Sequence, residues 1–341
     1  MKGKEIIKKK NFEDIFLIKE EGYPSEYGTY PYNREMREYI TKGMVCIDKP
    51  MGPSSHEVVV WVRKILEVNK TGHTGTLDPR VTGVLPIMIE HTTKLVKYLQ
   101  ESDKEYIALM HLHGDVKKER IEKVMEEFVG KIYQRPPLKS AVKKRLRVRE
   151  VKEIEILEID GRNVLFRVVC EAGTYIRKLC VDIGEVLGVG AHMQELRRTR
   201  TGEFDESRAF TLHDLLDAYI LWKEEGEEKY LREIIMPMEE VAKSMKKIVI
   251  KDTAVDAICH GAPLTATGIH YVEKTIKRGD IIALFTLKSE LVAIAKSLMN
   301  AEEILKAKRG VVAETLRVIM ERGTYPSYWK KRKVEFKESF K

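Results

Sequence analysis

Gly72-His73-Thr74-Gly75-Thr76-Leu77-Asp78-Pro79-Arg80-Val81-Thr82-Gly83-Val84-Leu85-Pro86 is the stretch from which the rest of the chain is read. Its three glycines and two prolines, set among hydroxyl and imidazole side chains, argue against a regular helix or strand. The backbone is expected to take special angles here or to approach another segment closely. No Gly-Lys-Ser/Thr follows, which excludes a phosphate-binding P-loop. Asp78 has two readings. A rigid loop can present its carboxylate to a pocket as nucleophile or base, or the carboxylate can close a tight Asp-Pro turn on its own backbone.

A carboxylate used in chemistry needs a cation that keeps it ionised. Arg177, in Gly173-Thr174-Tyr175-Ile176-Arg177, is a candidate. It falls in the first turn of a helix expected over 174–187, where a cation opposes the helix dipole and needs another reason for its position. The plainer reading is a solvated helix arginine.

Around this stretch the periodicities are clear. Met44–Ile47 reads as a short apolar strand ending in the turn cluster Lys49-Pro50-Met51-Gly52-Pro53. Ser54 with Glu57 reads as a capping box for a helix carrying Val58, Val62 and Ile65. A strand is expected over 103–113, an amphipathic helix over 118–129 closed by Gly130, and a hairpin from 151–159 and 164–170. A helix capped at Thr211 with Asp214 follows. Beyond Lys247, short strands over 247–251, 281–286, 290–297 and 312–320 describe a small, mostly β module.

Two basic stretches stand out. Arg145, Arg147 and Arg149 alternate with Leu146 and Val148, which on a strand places the arginines on one face where they could track a phosphate backbone. Arg197-Arg198-Thr199-Arg200 is the second, and Trp329-Lys330-Lys331-Arg332-Lys333 adds a basic tail. A charge run alone is usually a solvated face. Together with a net charge of +8, these runs point to a nucleic-acid partner. His111, His113 and Asp115 could form part of a divalent-metal site, because strand alternation puts both histidines on one face. No third ligand is well spaced, and a polar strand end is the plainer reading.

The chain has 341 residues, 43% hydrophobic and 33% charged, enough for two domains with cores of their own. No apolar run reaches the roughly 20 residues a membrane helix needs, and the N-terminal lysines lack the apolar segment of a secretory signal. None of Cys46, Cys170, Cys180 and Cys259 forms a C-x-x-C pair, which excludes a zinc ribbon and favours buried, reduced thiols. Only three Gln and five Asn stand beside abundant Lys and Glu, a heat-adapted composition.

Lys49-Pro50-Met51-Gly52-Pro53-Ser54-Ser55 and Gly72 to Pro79 resemble the first two motifs of the TruB family of pseudouridine synthases. Lys104-Glu105-Tyr106, Arg135 to Ala141, Gly173 to Arg177 and Leu196 to Thr199 resemble the remaining motifs, in order, over about residues 40–240. The C-terminal β module is similar to a PUA domain. The resemblance implies an α+β fold: a catalytic domain on a mixed, largely antiparallel sheet, with a small PUA pseudo-barrel. The expected division is an N-terminal arm over 1–38 packed on the PUA-like module, a catalytic domain over 39–245, the PUA domain over 246–325 and a basic tail over 326–341.

Stand-alone tRNA enzymes of this family carry a longer insertion between the tyrosine and Arg-Pro-Pro motifs. Here 28 residues separate Tyr106 from Arg135. The chain is therefore most similar to the archaeal, dyskerin-like catalytic subunit of box H/ACA ribonucleoproteins. That likeness implies uridine isomerisation without metal or cofactor, with Asp78 as catalytic carboxylate, Arg177 as its partner, Tyr106 against the base and Leu196 as pocket wall. It implies RNA contacts at His73, Lys49, Arg145, Arg147, Arg149, Arg197 and Arg198, with Lys49 and Pro50 also supporting the catalytic loop. The implied partners are a box H/ACA guide RNA, its substrate RNA and three small proteins: a zinc-ribbon-like or β-hairpin protein, a small β-barrel protein and a kink-turn-binding protein. The implied location is cytoplasmic in an archaeon and nucleolar in a eukaryote. Three competing functions remain: modification of tRNA without a guide, a non-catalytic RNA scaffold, and a metal-dependent nuclease using His111 and His113.

Overall fold

The computed structural model describes residues 15–135 and 145–327. The motif from Pro136 to Ala141, the lysines 139, 143 and 144, the start of the arm and the basic tail lie outside the described residues.

The chain forms two compact units, one spanning Met44–Met236 and the other built from the residues on either side of it. In the second unit the described chain starts with strand β1 (Phe16–Ile18) and helix α1 (Met36–Thr41).

The Met44–Met236 unit is organised by one large sheet. Its strands are β2 (Gly43–Lys49), β3 (Thr71–His73), β4 (Thr82–Ile89), β5 (Lys104–Leu112), β6 (Gly130–Gln134), β7 (Arg147–Asp160), β8 (Asn163–Cys170), β9 (Ala191–Thr201), β10 (Phe204–Asp205), β11 (Ala209–Phe210) and β12 (Ile235–Pro237). The main path runs β11-β2-β4-β9-β5-β8-β7-β6, with β3, β10 and β12 pairing off it. Both β4–β9 and β11–β2 are parallel and the other pairs of the main path are antiparallel, giving a mixed sheet.

Helix α2 (Ser55–Ile65) starts from the expected capping box: the Ser54 hydroxyl accepts from the Glu57 N–H and the Glu57 carboxylate accepts from Ser54. Helices α3 (Val96–Gln100), α4 (Lys118–Glu127), α5 (Ile176–Leu187), α6 (Leu212–Glu225) and α7 (Lys229–Ile234) follow. Helix α6 carries the second expected capping box, Thr211 with Asp214. Ile121, Val124 and Met125 of α4 and Leu179, Cys180 and Ile183 of α5 bury against Ala108, Met110, Val164, Phe166 and Val168 of the sheet. At about 25 cal/mol per Å² of apolar surface this burial is the main stabilising term, and it fixes β5 and α5 relative to each other.

In the flanking unit, β13 (Lys246–Ile250), helix α8 (Asp252–Cys259), β14 (Leu264–Thr265), β15 (Ile269–Glu273), β16 (Ile281–Phe285), β17 (Leu291–Ser297), helix α9 (Ala301–Lys306) and β18 (Val311–Val318) give a seven-stranded sheet ordered β1-β15-β13-β16-β17-β18-β14. Strand β1 pairs antiparallel with β15, and Lys19 Nζ donates to the carbonyls of Ile304, Leu305 and Ala307 at the end of α9.

One expectation is corrected. The stretch 72–86 is irregular only between Thr74 and Val81, and strands β3 and β4 bracket it. Pro86 is tolerated because β4 pairs with β9 at Thr82 and Gly83 and with β3 from Ile87 to Ile89, and Pro86 falls in the interval between those partnerships. Gly83 is the glycine the fold demands. Its φ is +104°, and a Cβ there would lie 2.1 Å from the Arg198 carbonyl oxygen of β9. All four cysteines are buried and unpaired with one another, and burial pushes the thiols of Cys46, Cys170 and Cys180 up to about 12.

Candidate active site

The Asp78 carboxylate forms an ion pair with the Arg177 guanidinium, across 99 residues of sequence. Both side chains are about half exposed, so the pair opens to solvent. Each partner stands on a rigid support. The Asp78 loop has little hydrogen bonding within itself beyond the Val81 N–H donating to the Asp78 carbonyl at 2.9 Å. Its backbone groups are instead answered by side chains from other elements.

Lys49, fully buried at the end of β2, donates from Nζ to the carbonyls of Pro50 (2.9 Å), Pro79 (3.1 Å) and Val81 (2.9 Å). Ser55 Oγ donates to the Leu77 carbonyl at 2.9 Å and accepts from the Leu77 N–H at 2.8 Å. Arg198, 1% exposed, donates to the carbonyls of Val84 (2.8 Å) and Gly75 (3.1 Å). Three buried side chains thus hold the backbone carbonyls of the loop and its flanks.

Tyr106 on β5 lies opposite Arg198 on β9. Burial pushes the phenol above its ordinary value, against the pull of Arg198. The charge of Asp78 is felt at Tyr106 and also at Lys49, whose ammonium burial pulls down while Asp78 holds it up. Leu196 lies opposite Ala108 and, with Tyr106, is a partly buried residue at the margin of the core. His73 Nδ1 accepts from the Gly75 N–H at 3.3 Å. Burial, with Arg198 and His56 nearby, lowers its pKa, so the ring is neutral at pH 7 with its proton on Nε2.

The structure divides the expected RNA contacts. Lys49 and Arg198, expected as RNA contacts, are buried and donate to backbone carbonyls in and beside the loop. Arg197 is half-buried and meets both carboxylate oxygens of Asp48 at 3.0 Å and Glu206 at 2.5 Å. Arg145 is exposed ahead of β7. Arg147 and Arg149 share one face of β7, as the alternation predicts. Arg149 lies over Gly173, just ahead of the segment that presents Arg177.

His111 and His113 do share a face, and the β5–β9 register adds His192, with His113 Nε2 and His192 Nδ1 2.9 Å apart. Asp115 is instead bound to Arg162. Among the described residues no three potential ligands converge on a metal site. Sequence reasoning missed Ser55 and Gln134. The buried Gln134 amide holds the backbone of Tyr175 at 2.9 and 3.1 Å, two residues before Arg177.

The family description "TruB family pseudouridylate synthase (N terminal domain)" matches residues 63–176, and "tRNA pseudouridylate synthase B C-terminal domain" matches 177–243. A PUA domain matches 246–319 and a DKCLD domain 7–59. The chain is 69% identical over 316 residues to a probable tRNA pseudouridine synthase B of Archaeoglobus fulgidus, covering 92% of this chain and 97% of that one. It is 54% identical to the corresponding protein of Methanocaldococcus jannaschii, covering 96% and 97%. Among solved structures it resembles a chain of an H/ACA RNP bound to a substrate RNA containing 2′-deoxyuridine, with TM-score 0.86, 50% identity and 92% and 97% coverage. It also resembles a chain of a Cbf5-Nop10-Gar1 complex, with TM-score 0.85, 52% identity and 92% and 96% coverage. With relatives this similar along nearly its whole length, and with a mixed-sheet catalytic unit joined to a PUA domain, this chain belongs to the TruB family of pseudouridine synthases.

Proposed function

We propose that this protein isomerises uridine to pseudouridine in RNA as the catalytic subunit of a guide-dependent box H/ACA ribonucleoprotein, with Asp78 as its catalytic carboxylate. The observation that carries the guided reading is the 0.86 TM-score and 50% identity to the chain of an H/ACA RNP. The short path from Tyr106 to Arg135, filled by the rest of β5, helix α4 and strand β6, agrees with it, since it leaves little room for a tRNA-gripping insertion.

The reaction breaks the N1–C1′ bond, turns the base and joins C5 to C1′; C5 loses its proton and N1 gains one. The target nucleotide leaves its stack to reach the carboxylate. Arg177 fixes the orientation of Asp78, Tyr106 stacks on the base and assists loss of the C5 proton, and Leu196 closes the apolar side. His73, with Nε2–H available, contacts RNA near the extruded base. Arg145, Arg147 and Arg149 contact phosphates, while guide pairing selects the sequence. The partners are the guide, the substrate RNA and three small proteins of the kinds named above. The names of the curated relatives favour a second reading, action on tRNA without a guide.

Tritium release from RNA carrying 5-tritiated uridine tests both. Release from a matched target only with guide and partners is the expected result. Comparable release from tRNA by the protein alone establishes the second reading. Asp78→Asn is expected to reduce release by more than about 10³-fold while RNA affinity stays within about twofold. Full activity in that variant overturns the assignment.

A further inference from the structure

We propose that Gln134 is a positioning residue for the isomerisation: its carboxamide fixes the peptide at the start of α5 and thereby the aim of Arg177 at Asp78. The inference rests on the roles assigned above to Asp78 and Arg177.

Gln134 is one of only three glutamines in the chain and is 1% exposed. It ends β6, the edge strand of the large sheet. Alternation puts it on the same side as Ile132, which packs on the core, so the pleat asks for an apolar side chain there. A buried amide that breaks the pattern needs partners, and it has two on one residue. Gln134 Oε1 accepts from the Tyr175 N–H at 2.9 Å, and Nε2 donates to the Tyr175 carbonyl at 3.1 Å.

Tyr175 is the N-cap of α5, and that helix has no side-chain cap of its own. The Tyr175 carbonyl also accepts the first helical bond, from the Leu179 N–H at 3.0 Å. Gln134 Oε1 therefore takes the N-cap N–H, the bond that the N3 side chain accepts in a capping box. Only a carboxamide matches a backbone donor and acceptor at once; a carboxylate opposes a lone pair to the carbonyl, and an aliphatic removes both bonds. Arg177 is two residues further on, in the first turn, and its guanidinium reaches Asp78. Rotation of the Tyr175 peptide swings that side chain, and about 1 Å of misplacement at reacting groups costs on the order of 10²-fold in rate.

The test compares wild type, Gln134→Leu, Gln134→Glu, Arg177→Lys and the Arg177→Lys/Gln134→Leu double variant in the assembled enzyme, with Asp78→Asn as control. Single-turnover rate constants and substrate-RNA affinities are measured together. Gln134→Leu is expected to lower the rate constant by on the order of 10²-fold with affinity within about twofold, and Gln134→Glu, which keeps one of the two bonds, by less. Because Gln134 acts through Arg177, adding Gln134→Leu to Arg177→Lys is expected to cost under about threefold.

An undiminished rate, equal losses in both backgrounds, or a loss traced to weaker RNA binding overturns the proposal. If Gln134→Leu does not fold, Gln134→Glu carries the same comparison. If Arg177→Lys leaves no measurable turnover, the crystal structure of the Gln134 variant decides: Arg177 displaced from Asp78 supports the proposal and an intact pair overturns it. Full activity of Asp78→Asn removes the reading beneath the proposal, whereas an inactive Asp78→Asn beside a wild-type Gln134→Leu removes the proposal alone.

Discussion

The two units of the molecule bury opposite charges. Among the described residues, the unit carrying Asp78 buries three cations, Lys49, Lys104 and Arg198, whereas the unit carrying the PUA domain buries Glu239, Glu240, Asp256 and Glu290 with Arg34. Cations collect carbonyls. Lys49 and Arg198 gather those of the loop around Asp78, and Lys104 gathers those of Leu99, Gln100 and Ser102 at the end of α3.

Carboxylates collect N–H and O–H groups. Glu290 accepts from the Thr29 N–H (3.0 Å), the Tyr325 hydroxyl (2.6 Å) and the Thr286 hydroxyl (3.0 Å). Glu239 accepts two bonds from Arg34 and one from the Leu291 N–H. The difference separates two tasks. Buried cations can hold an irregular loop open under an exposed carboxylate. Buried carboxylates here fasten distant chain segments together and face no reaction.

The largest effect that could break this contrast is a matched pair of substitutions. Lys49→Met removes the bonds to the carbonyls of Pro50, Pro79 and Val81 and is expected to cost about 3 kcal/mol in urea unfolding and on the order of 10²-fold in single-turnover rate. Glu290→Gln is expected to cost about 1–3 kcal/mol of stability while leaving the single-turnover rate at saturating RNA within about twofold. A rate loss in Glu290→Gln as large as that in Lys49→Met would erase the distinction.

Lys104 gives the contrast a pH signature. Its side chain is 4% exposed, and burial pulls its ammonium from the ordinary 10.5 down to about 8. Between pH 8 and 10.5 the unfolded chain therefore holds a proton that the folded chain has released. Stability rises with pH across that window, by about 1–3 kcal/mol from this residue. The measurement is the difference in unfolding free energy between wild type and Lys104→Met as a function of pH. It should climb through the window; a flat difference would show that the carbonyls around Lys104 keep it protonated and that burial does not dominate.

How much of this was legible depended on whether a residue's partner is near it in sequence. Ser54 with Glu57, Thr211 with Asp214 and the Asp160-Gly161-Arg162-Asn163 turn are local devices, and each stands where the spacing puts it. Strand β9 was hidden because Arg197-Arg198-Thr199-Arg200 reads as a charge run, although Arg198 and Thr199 are buried. Strand β4 was hidden by Pro86, whose tolerance depends on a gap between two strand partners. Asp78 and Arg177 were open candidates from their local sequence and were paired by the family resemblance, and the structure brings them together. Ser55 and Gln134 were not, because a single Ser or Gln says nothing about the backbone it holds, 22 and 41 residues away.

The smallest effect sharpens the same lesson at the surface, where charge count is a poor guide to RNA contact. Arg145 and Arg197 carry equal formal charge, and both lie in basic stretches. Arg197 is already balanced by Asp48 and Glu206, so bringing it to a phosphate requires breaking two ion pairs. Arg145 is exposed on the approach to β7, two residues before Arg147. Each phosphate neutralised contributes about 0.7–0.9 to the slope of log affinity against log salt. Arg145→Ala is therefore expected to reduce that slope by nearly this amount and to weaken RNA binding a few-fold, and Arg197→Ala to change it by less than about 0.3. Salt titrations of RNA binding by the two variants provide the check. Equal reductions would mean that RNA competes successfully with Asp48 and Glu206, and that the arginine of β9 faces the nucleic acid after all.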